Sequence, residues 1–453
     1  MGEPTVAAIA TPTGLGGIGV IRLSGPEAFA IADRVFESVS GVKLCDTPGY
    51  RAHYGRLVTE GKTLDDAVAL VFRAPHSYTG EDVVEVSVHG GRFVTKAALR
   101  SLLDAGAKPA GPGEFTKRAF LNGKMDLTEA EAVMGIIDAD NAGALRASRA
   151  AADGAVTKRL TAIKEKLLLA AATITAFTDF PDEEPSFSGI DKLPDMLDQT
   201  ANALAELIRH YDAGKVWREG VRTAIIGSAN VGKSTLMNLI SGHDRSIVTD
   251  VAGTTRDVIE ETVMLGDLRL NLADTAGLRD TEDAVEKIGV DRSRQAMETA
   301  DLILFVLDAS RPMTEEETEL LQQTAQKPSI VILNKTDLTD TVPVPEVGDR
   351  PLVLTAAKEG QGLAELEEAV RTVCGAGDLR EDTVLLSCER QRACAVRALD
   401  ELTAARKTLQ DGYTVDAVGT CLDTALGAVM ELTGESVTTE VAEEVFRRFC
   451  VGK

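Results

Sequence analysis

No Cys-x-x-Cys pair occurs in this chain. Its six cysteines, at 45, 374, 388, 394, 421 and 450, also lack the spacing of a metal site. They read as reduced thiols of an intracellular protein. A basic, apolar leader is missing at the N-terminus, as is any run of about 18 apolar residues. A soluble, cytoplasmic protein with no membrane span is therefore expected. Basic residues are in short supply, 48 Lys and Arg against 71 Asp and Glu, for a net charge of −23. Such a surface repels polyanions, so strong stand-alone binding to nucleic acid needs a local basic patch or a partner that supplies the charge. At 453 residues the chain is long enough for about three domains.

What is present is organised around Thr223-Ala-Ile-Ile-Gly227-Ser-Ala-Asn230-Val231-Gly232-Lys233-Ser234, where a short apolar run feeds a G-x-x-x-x-G-K-S loop. Thr235-Leu-Met-Asn-Leu-Ile240 then reads as a helix, the setting in which backbone N–H groups and a helix N-terminus surround phosphate oxygens. Lys233 is suited to the β- and γ-phosphates and the Ser234 hydroxyl to Mg²⁺. Taken alone, the loop could be a glycine turn with a chance lysine. Three later stretches argue otherwise. Leu270-Asn-Leu-Ala-Asp274-Thr275-Ala276-Gly277 is an apolar strand ending in an acid and a glycine, suited to Mg²⁺ and γ-phosphate sensing. Ile330-Val-Ile-Leu-Asn334-Lys335-Thr-Asp337 ends in N-K-x-D, and the Asp337 carboxylate can accept both N1–H and the 2-amino group of guanine. Adenine offers no such donor pair. Thr355-Ala356-Ala357-Lys358 follows as the loop whose backbone N–H would meet guanine O6. A GTP-binding domain is expected over about 218–377.

Residues 1–121 read as an α+β domain. Val6–Ile9, Gly19–Leu23, Asp66–Phe72 and Asp82–Val88 are strand-like, while Pro26–Val35 and Phe93–Ala105 are helix-like. Gly14-x-Gly16-x-x-Gly19 matches the dinucleotide fingerprint, but Val20, Ile21 and Leu23 favour a strand where the fingerprint needs a helix. A tight loop between strands is the better reading. Gly113 to Thr128 reads as a loop passing into helix, and Thr128-Glu-Ala-Glu131 has capping-box spacing. Helical periodicity runs to about residue 217, broken at Pro181-Asp-Glu-Glu-Pro185, and returns over 378–453. The GTP-binding domain is then either inserted into one helical domain or flanked by two independent helical units.

Beyond the GTPase motifs, the chain carries Ala10-Thr-Pro12, Ser77-Tyr-Thr-Gly-Glu-Asp82, His89-Gly-Gly91, Gly113-Glu-Phe115 through Asp126-Leu127, and Cys450-Val-Gly-Lys453. Over its whole length it resembles the MnmE (TrmE) family of tRNA modification GTPases. That family usually ends in C-I-G-K, so Val451 is a departure. The resemblance implies three parts: an α+β folate-binding-like N-terminal domain, an all-α helical domain, and a Ras-like α/β P-loop GTPase domain inserted in the helical one. It further implies a homodimer formed through the N-terminal domain and a FAD-containing partner, MnmG, joined in a heterotetramer. The implied work is addition of an aminomethyl-type group to carbon-5 of wobble uridine in tRNA, using a 5-formyltetrahydrofolate-type donor.

Carried over residue by residue, the family's folate contacts fall on Arg22, Glu81, Lys124 and Lys453, where a carboxylate suits pterin N–H donors and cations suit glutamyl carboxylates. Without the family these are ordinary solvated charges. Cys450, near Lys453, is either an inert thiol or a functional one. Leu278 follows Gly277 where Ras-like proteins place a water-orienting glutamine, and the resemblance gives that role to Glu286. It also implies a K⁺ ion in place of an arginine finger. Asn230 would ligate it, with Thr249, Val251 and Thr254 from the loop Thr249-Asp250-Val251-Ala252-Gly253-Thr254, while Thr255 would reach Mg²⁺. Rival readings are a ribosome-assembly GTPase, disfavoured by charge and by the lack of a GXXG-type KH segment or second G domain, and a folate enzyme with a purely regulatory GTPase.

Overall fold

A computed structural model describes residues 3–12, 14–179, 189–243, 261–266, 268–272, 297–324, 327–339, 344–375 and 383–453. The chain forms two compact units. One gathers residues 1–134, 151–204 and 387–453; the other gathers 135–150 and 205–386.

The first unit opens with strands β1 (Val6–Ile9), β2 (Ile18–Ser24), β3 (Phe36–Ser38), β4 (Arg51–Thr59), β5 (Lys62–Phe72), β6 (Val83–His89) and β7 (Lys108–Pro109). They form one sheet in the order β3-β4-β5-β6-β2-β1-β7. Neighbours are antiparallel except β1 with β7. Alternation decides the covered face. Ile21, Leu23, Ala67, Ala69, Val71, Val84, Val86 and Val88 pack with residues of the helices Ala28–Val35 and Arg92–Asp104. On the opposite parity, Ile18, Tyr54 and Val68 are exposed. The glycine-rich stretch opens β2 and no helix, as its apolar followers predict. A Cβ on Gly19 would run into Thr95 of the Arg92–Asp104 helix, so glycine there serves packing.

Helix forms earlier than the sequence suggested, over Glu114–Leu121, preceded by Gly113 at φ +63°. The next helix, Leu127–Asp138, is capped by Asp126, which accepts from Glu129 N and Thr128 Oγ1 while Glu129 Oε2 accepts from Asp126 N. The capping box thus lies two residues before the predicted Thr128/Glu131 pair. Glu131 is instead bound by Arg390 at 2.7 and 2.9 Å and by Gln391 at 2.7 Å. Arg390 also donates to the carbonyls of Glu431 and Leu432 at the end of the helix Val415–Thr433. That helix packs on both Ala155–Asp179 and Glu389–Gln410. Helices from before and after the GTPase motifs therefore build a single helical domain, and the GTP-binding domain is an insertion in it.

The second unit holds β8 (Val221–Ile226), β9 (Glu261–Leu265), β10 (Leu268–Leu272), β11 (Leu302–Asp308), β12 (Ser329–Asn334) and β13 (Leu352–Leu354) in the order β13-β12-β11-β8-β10-β9. Only the β9–β10 pairing is antiparallel. The unbroken apolar runs of β11 and β12 are buried on both faces, as an interior parallel strand requires. Leu236, Met237 and Ile240 of the helix Lys233–His243 join the core on one face, and Leu321 joins that on the other. Because β8, β11 and β12 run parallel, the segments that follow them leave the sheet at one edge, where open α/β sheets bind ligands.

Candidate functional site

At that edge, β8 runs into the loop Gly227–Gly232 and then the helix Lys233–His243. Gly232 has φ +98°, and a Cβ there would collide with Asn334 Nδ2, so this position needs glycine twice over. Asn230 and Lys335 also take left-handed backbone angles, φ +62° and +65°. Asn334, buried at the end of β12, joins three segments. Its Nδ2 donates to Val231 O at 3.0 Å, and its Oδ1 accepts from Thr355 Oγ1 at 3.2 Å and Ala357 N at 3.1 Å. Asn334 thereby ties the phosphate loop to the predicted guanine loop. Ala356 and Ala357 are buried and Lys358 is exposed. Asp337 lies in the exposed turn Thr336–Leu338, next to that loop through Thr336, which donates from N and Oγ1 to Thr355 O.

Lys233 Nζ donates to Gly227 O at 2.9 Å and Ser228 O at 2.7 Å, and burial pushes its ammonium below the usual lysine range. A desolvated cation beside exposed Ser234 and Thr235, at a helix N-terminus, is a donor set that fits an anion. Lys335 Nζ bridges Asn230 O and Asp308 Oδ2, each at 2.6 Å. Burial alone would raise the Asp308 carboxyl; bonds from Lys335 and Ser310 outweigh it and hold it low. Sequence reading missed Asp308, although an acid ending an apolar strand was a signal. It also missed Glu317, which Arg311 grips with two donors at 2.9 and 2.6 Å. The Thr314–Glu317 capping box is visible as Thr-x-x-Glu. Thr249, Asp250, Val251, Ala252, Gly253, Thr254, Thr255, Asp274, Thr275, Ala276, Gly277 and Glu286 lie outside the described residues.

A second cluster forms in the first unit. The Arg22 guanidinium lies 5.6 Å from the Tyr78 ring centre and 5.5 Å from that of Phe115, and it is paired with Glu85 at 2.7 Å. Phe115 N donates to Lys453 O at 3.1 Å, so the residue-450 region sits beside the same aromatic. Glu81 is already engaged, its Oε2 accepting from Ser24 Oγ at 2.6 Å and Arg118 NH1 at 3.0 Å. Arg118, which sequence reading also missed, is buried and further bonded to Glu114 and Pro4 O. Lys124 Nζ donates to Pro75 O at 3.1 Å. Cys450 is exposed, and its carbonyl accepts from Gly113 N. Arg22, Phe115 and Lys453 are thus brought together, with Glu81 linked through Ser24 of the same strand. None of the four predicted folate residues lines the cavity of about 530 Å³ between Thr11, Gly16, Gly90, Arg92 and Lys96. Among the described residues, no helix is long and apolar enough to cross a membrane.

Comparison with known proteins gives matches along the chain. Residues 5–124 match the family described as "GTP-binding protein TrmE N-terminus", and residues 127–450 match the "MnmE helical domain". The chain is 41% identical over 456 residues to "tRNA modification GTPase MnmE" of Geobacter sulfurreducens, covering 100% of this chain and 99% of that protein. It is likewise 41% identical over 457 residues to the protein of that name from Listeria welshimeri, covering 99% of each. A solved structure of Aquifex aeolicus Era bound to GDP.AlF4- is 28% identical over 40% of this chain and 66% of that one, at a TM-score of 0.26, too low to bear an argument.

Proposed function

The chain belongs to the MnmE (TrmE) family of tRNA modification GTPases, and on that premise we propose that it hydrolyses GTP within a cytoplasmic assembly that modifies carbon-5 of wobble uridine in tRNA. The group added is of the aminomethyl or carboxymethylaminomethyl type. The observation that carries the GTPase half is the Asn334 junction, which links the phosphate loop to the loop that would meet guanine O6. There the loop amides and Lys233 would hold the phosphates, and Asp337 would read the base. Ser234 and Thr255 would hold Mg²⁺, and Asn230, Thr249, Val251 and Thr254 would hold K⁺. These cations supply positive charge where it offsets the phosphate oxygens. Glu286 would orient the attacking water.

The first unit would hold the one-carbon donor, a 5-formyltetrahydrofolate-type folate. Support comes from the Arg22 guanidinium between Tyr78 and Phe115, and from the Phe115 bond to Lys453. Flat aromatic faces beside a cation and a carboxylate suit a pterin with an acidic tail. Because Glu81 is held on one oxygen by Ser24 and Arg118, it is pre-oriented to accept with the other. A second copy of the chain and the FAD-containing MnmG would complete the assembly, with MnmG supplying the basic surface that a chain of charge −23 calls for.

The test is wobble-nucleoside mass spectrometry in a deletion strain. Loss of the modified uridines, restored by this chain but not by Lys233→Ala, is expected; normal wobble nucleosides in the deletion strain would overturn the reading. Calorimetry with 5-formyltetrahydrofolate tests the donor separately. Glu81→Gln should lose the folate and keep GTP hydrolysis.

A further inference from the structure

Arg22 of β2 and Glu85 of β6 stand directly opposite one another in the antiparallel register. Opposed side chains on one face of a sheet lie within reach of each other, so the ladder itself brings the two charges together. Arg22 Nε donates to Glu85 Oε1 at 2.8 Å, and Arg22 NH2 lies 2.7 Å from the same oxygen. The rings of Tyr78 and Phe115 lie beside the guanidinium, and among the described residues no hydrogen bond reaches its NH1. Two residues along β2, on the same face, Ser24 donates to Glu81 Oε2, which Arg118 pairs at 3.0 Å. Glu81 Oε1 accepts no hydrogen bond among the described residues. Arg22 and Glu81 thus each have an ion partner and hydrogen-bonding capacity to spare. Lys124 and Lys453 differ. Lys124 Nζ donates to the Pro75 carbonyl, and among the described residues neither lysine is ion-paired.

We propose that Glu85 is a positioning residue of the one-carbon site: it aims Arg22 and cancels its charge, so that Arg22 donates to an uncharged acceptor on the ligand's ring. The proposal rests on the folate reading above and divides the ligand among the four residues. A guanidinium already paired with a carboxylate attracts a second anion weakly, and Glu85 repels one. A ring carbonyl brings no charge, so it can take the NH1 donor while the Glu85 pair stays intact. A pterin carries such a carbonyl next to the N–H donors that the open Glu81 oxygen suits. The glutamyl carboxylates then fall to Lys124 and Lys453, whose ammonium groups no acid offsets. This departs from the sequence expectation, which set every cation of the site to the carboxylates.

Calorimetry with 5-formyltetrahydrofolate on the full chain, repeated at rising salt, is the test, because salt screens a contact between exposed charges far more than a hydrogen bond to a carbonyl. Arg22→Met should weaken binding about tenfold and leave the salt dependence of the parent chain unchanged. Lys124→Met should weaken binding mainly at low salt and flatten the salt dependence. Glu85→Ala should weaken binding about tenfold at high salt, because Arg22 is no longer aimed. Glu85→Gln, which keeps an acceptor, should recover most of that loss yet make affinity more salt-dependent, since the Arg22 charge is uncovered. If Glu85→Ala does not fold, Glu85→Gln and Arg22→Met decide by themselves. A flattened salt dependence in Arg22→Met would overturn the proposal, showing that Arg22 holds the acidic tail. The parent's salt dependence in Glu85→Gln would overturn it too. In both cases the parent chain still binds folate, whereas a parent chain that binds none removes the folate reading and this proposal with it.

Discussion

Gly232 and Asn334 constrain each other: the glycine takes φ +98° and leaves the space in which the Asn334 amide reaches Val231 O. Gly232→Ala should therefore lose at least tenfold in GDP affinity, measured by fluorescence titration, because strain and collision act together. Unchanged affinity would mean that the loop relaxes at little cost. Asp337→Asn should weaken GTP binding by several kcal/mol and admit xanthosine nucleotides, since an amide can donate where the carboxylate only accepts. Retained preference for GTP in a competition assay would remove Asp337 from the base site. Residues such as Gly232, Lys233 and Asn334 were legible because each motif is local, its meaning fixed by spacing along a few residues. Asp308, Glu317 and Arg118 were not. Beside near neighbours, their partners include Lys335, 27 residues from Asp308, and Pro4, 114 residues from Arg118, which only the folded chain brings together.

Among the elements, the strands expected at Val6–Ile9, Gly19–Leu23, Asp66–Phe72 and Asp82–Val88 overlap observed ones. Phe36–Ser38, Arg51–Thr59 and Lys108–Pro109 were not expected, and the ends of helices also departed from the reading. The Thr128/Glu131 spacing fits a capping box, yet Asp126 takes the cap because Glu131 faces Arg390, 259 residues later. Competition from a distant cation cannot be read from local spacing. The stretch 450–453 is a further case. Val451 bridges to Pro112, Gly113 N donates to Cys450 O, and Gly452, at φ +98°, leaves no room for a Cβ beside Ile9 O. Gly452→Ala should unseat this segment and destabilise the first unit by about 1–3 kcal/mol. Thermal unfolding should show the loss while GDP affinity stays near that of the parent chain. A fall in GDP affinity with no change in unfolding would refute the docking argument.

For the molecule as a whole, titration of buried acids shapes how stability varies with pH. Burial alone would raise the Glu317 carboxyl, but Arg311, Thr314 N and Ser228 outweigh it and leave the folded value below 4.5. A depressed folded value means that the stabilisation is complete above the unfolded value and fades as pH falls through the folded one. Glu317→Gln should thus cost about 3 kcal/mol in urea unfolding at neutral pH, with the gap narrowing below pH about 4.5. A gap independent of pH would show that packing, and not the ion pair, was lost. The insertion of one domain into another was half legible: periodicity on both sides of the GTPase motifs was clear, but only the packing of Val415–Thr433 on Ala155–Asp179 and Glu389–Gln410 chose one domain over two. The bridge between Pro112 and Val451 also has a meaning in time. Its two halves are 339 residues apart, so a ribosome adding about 5–20 residues per second makes the second on the order of 20–70 seconds after the first. Through that interval the Ile9 and Gly113 surfaces wait without their covering segment, exposed to whatever else in the cell binds an unfinished edge.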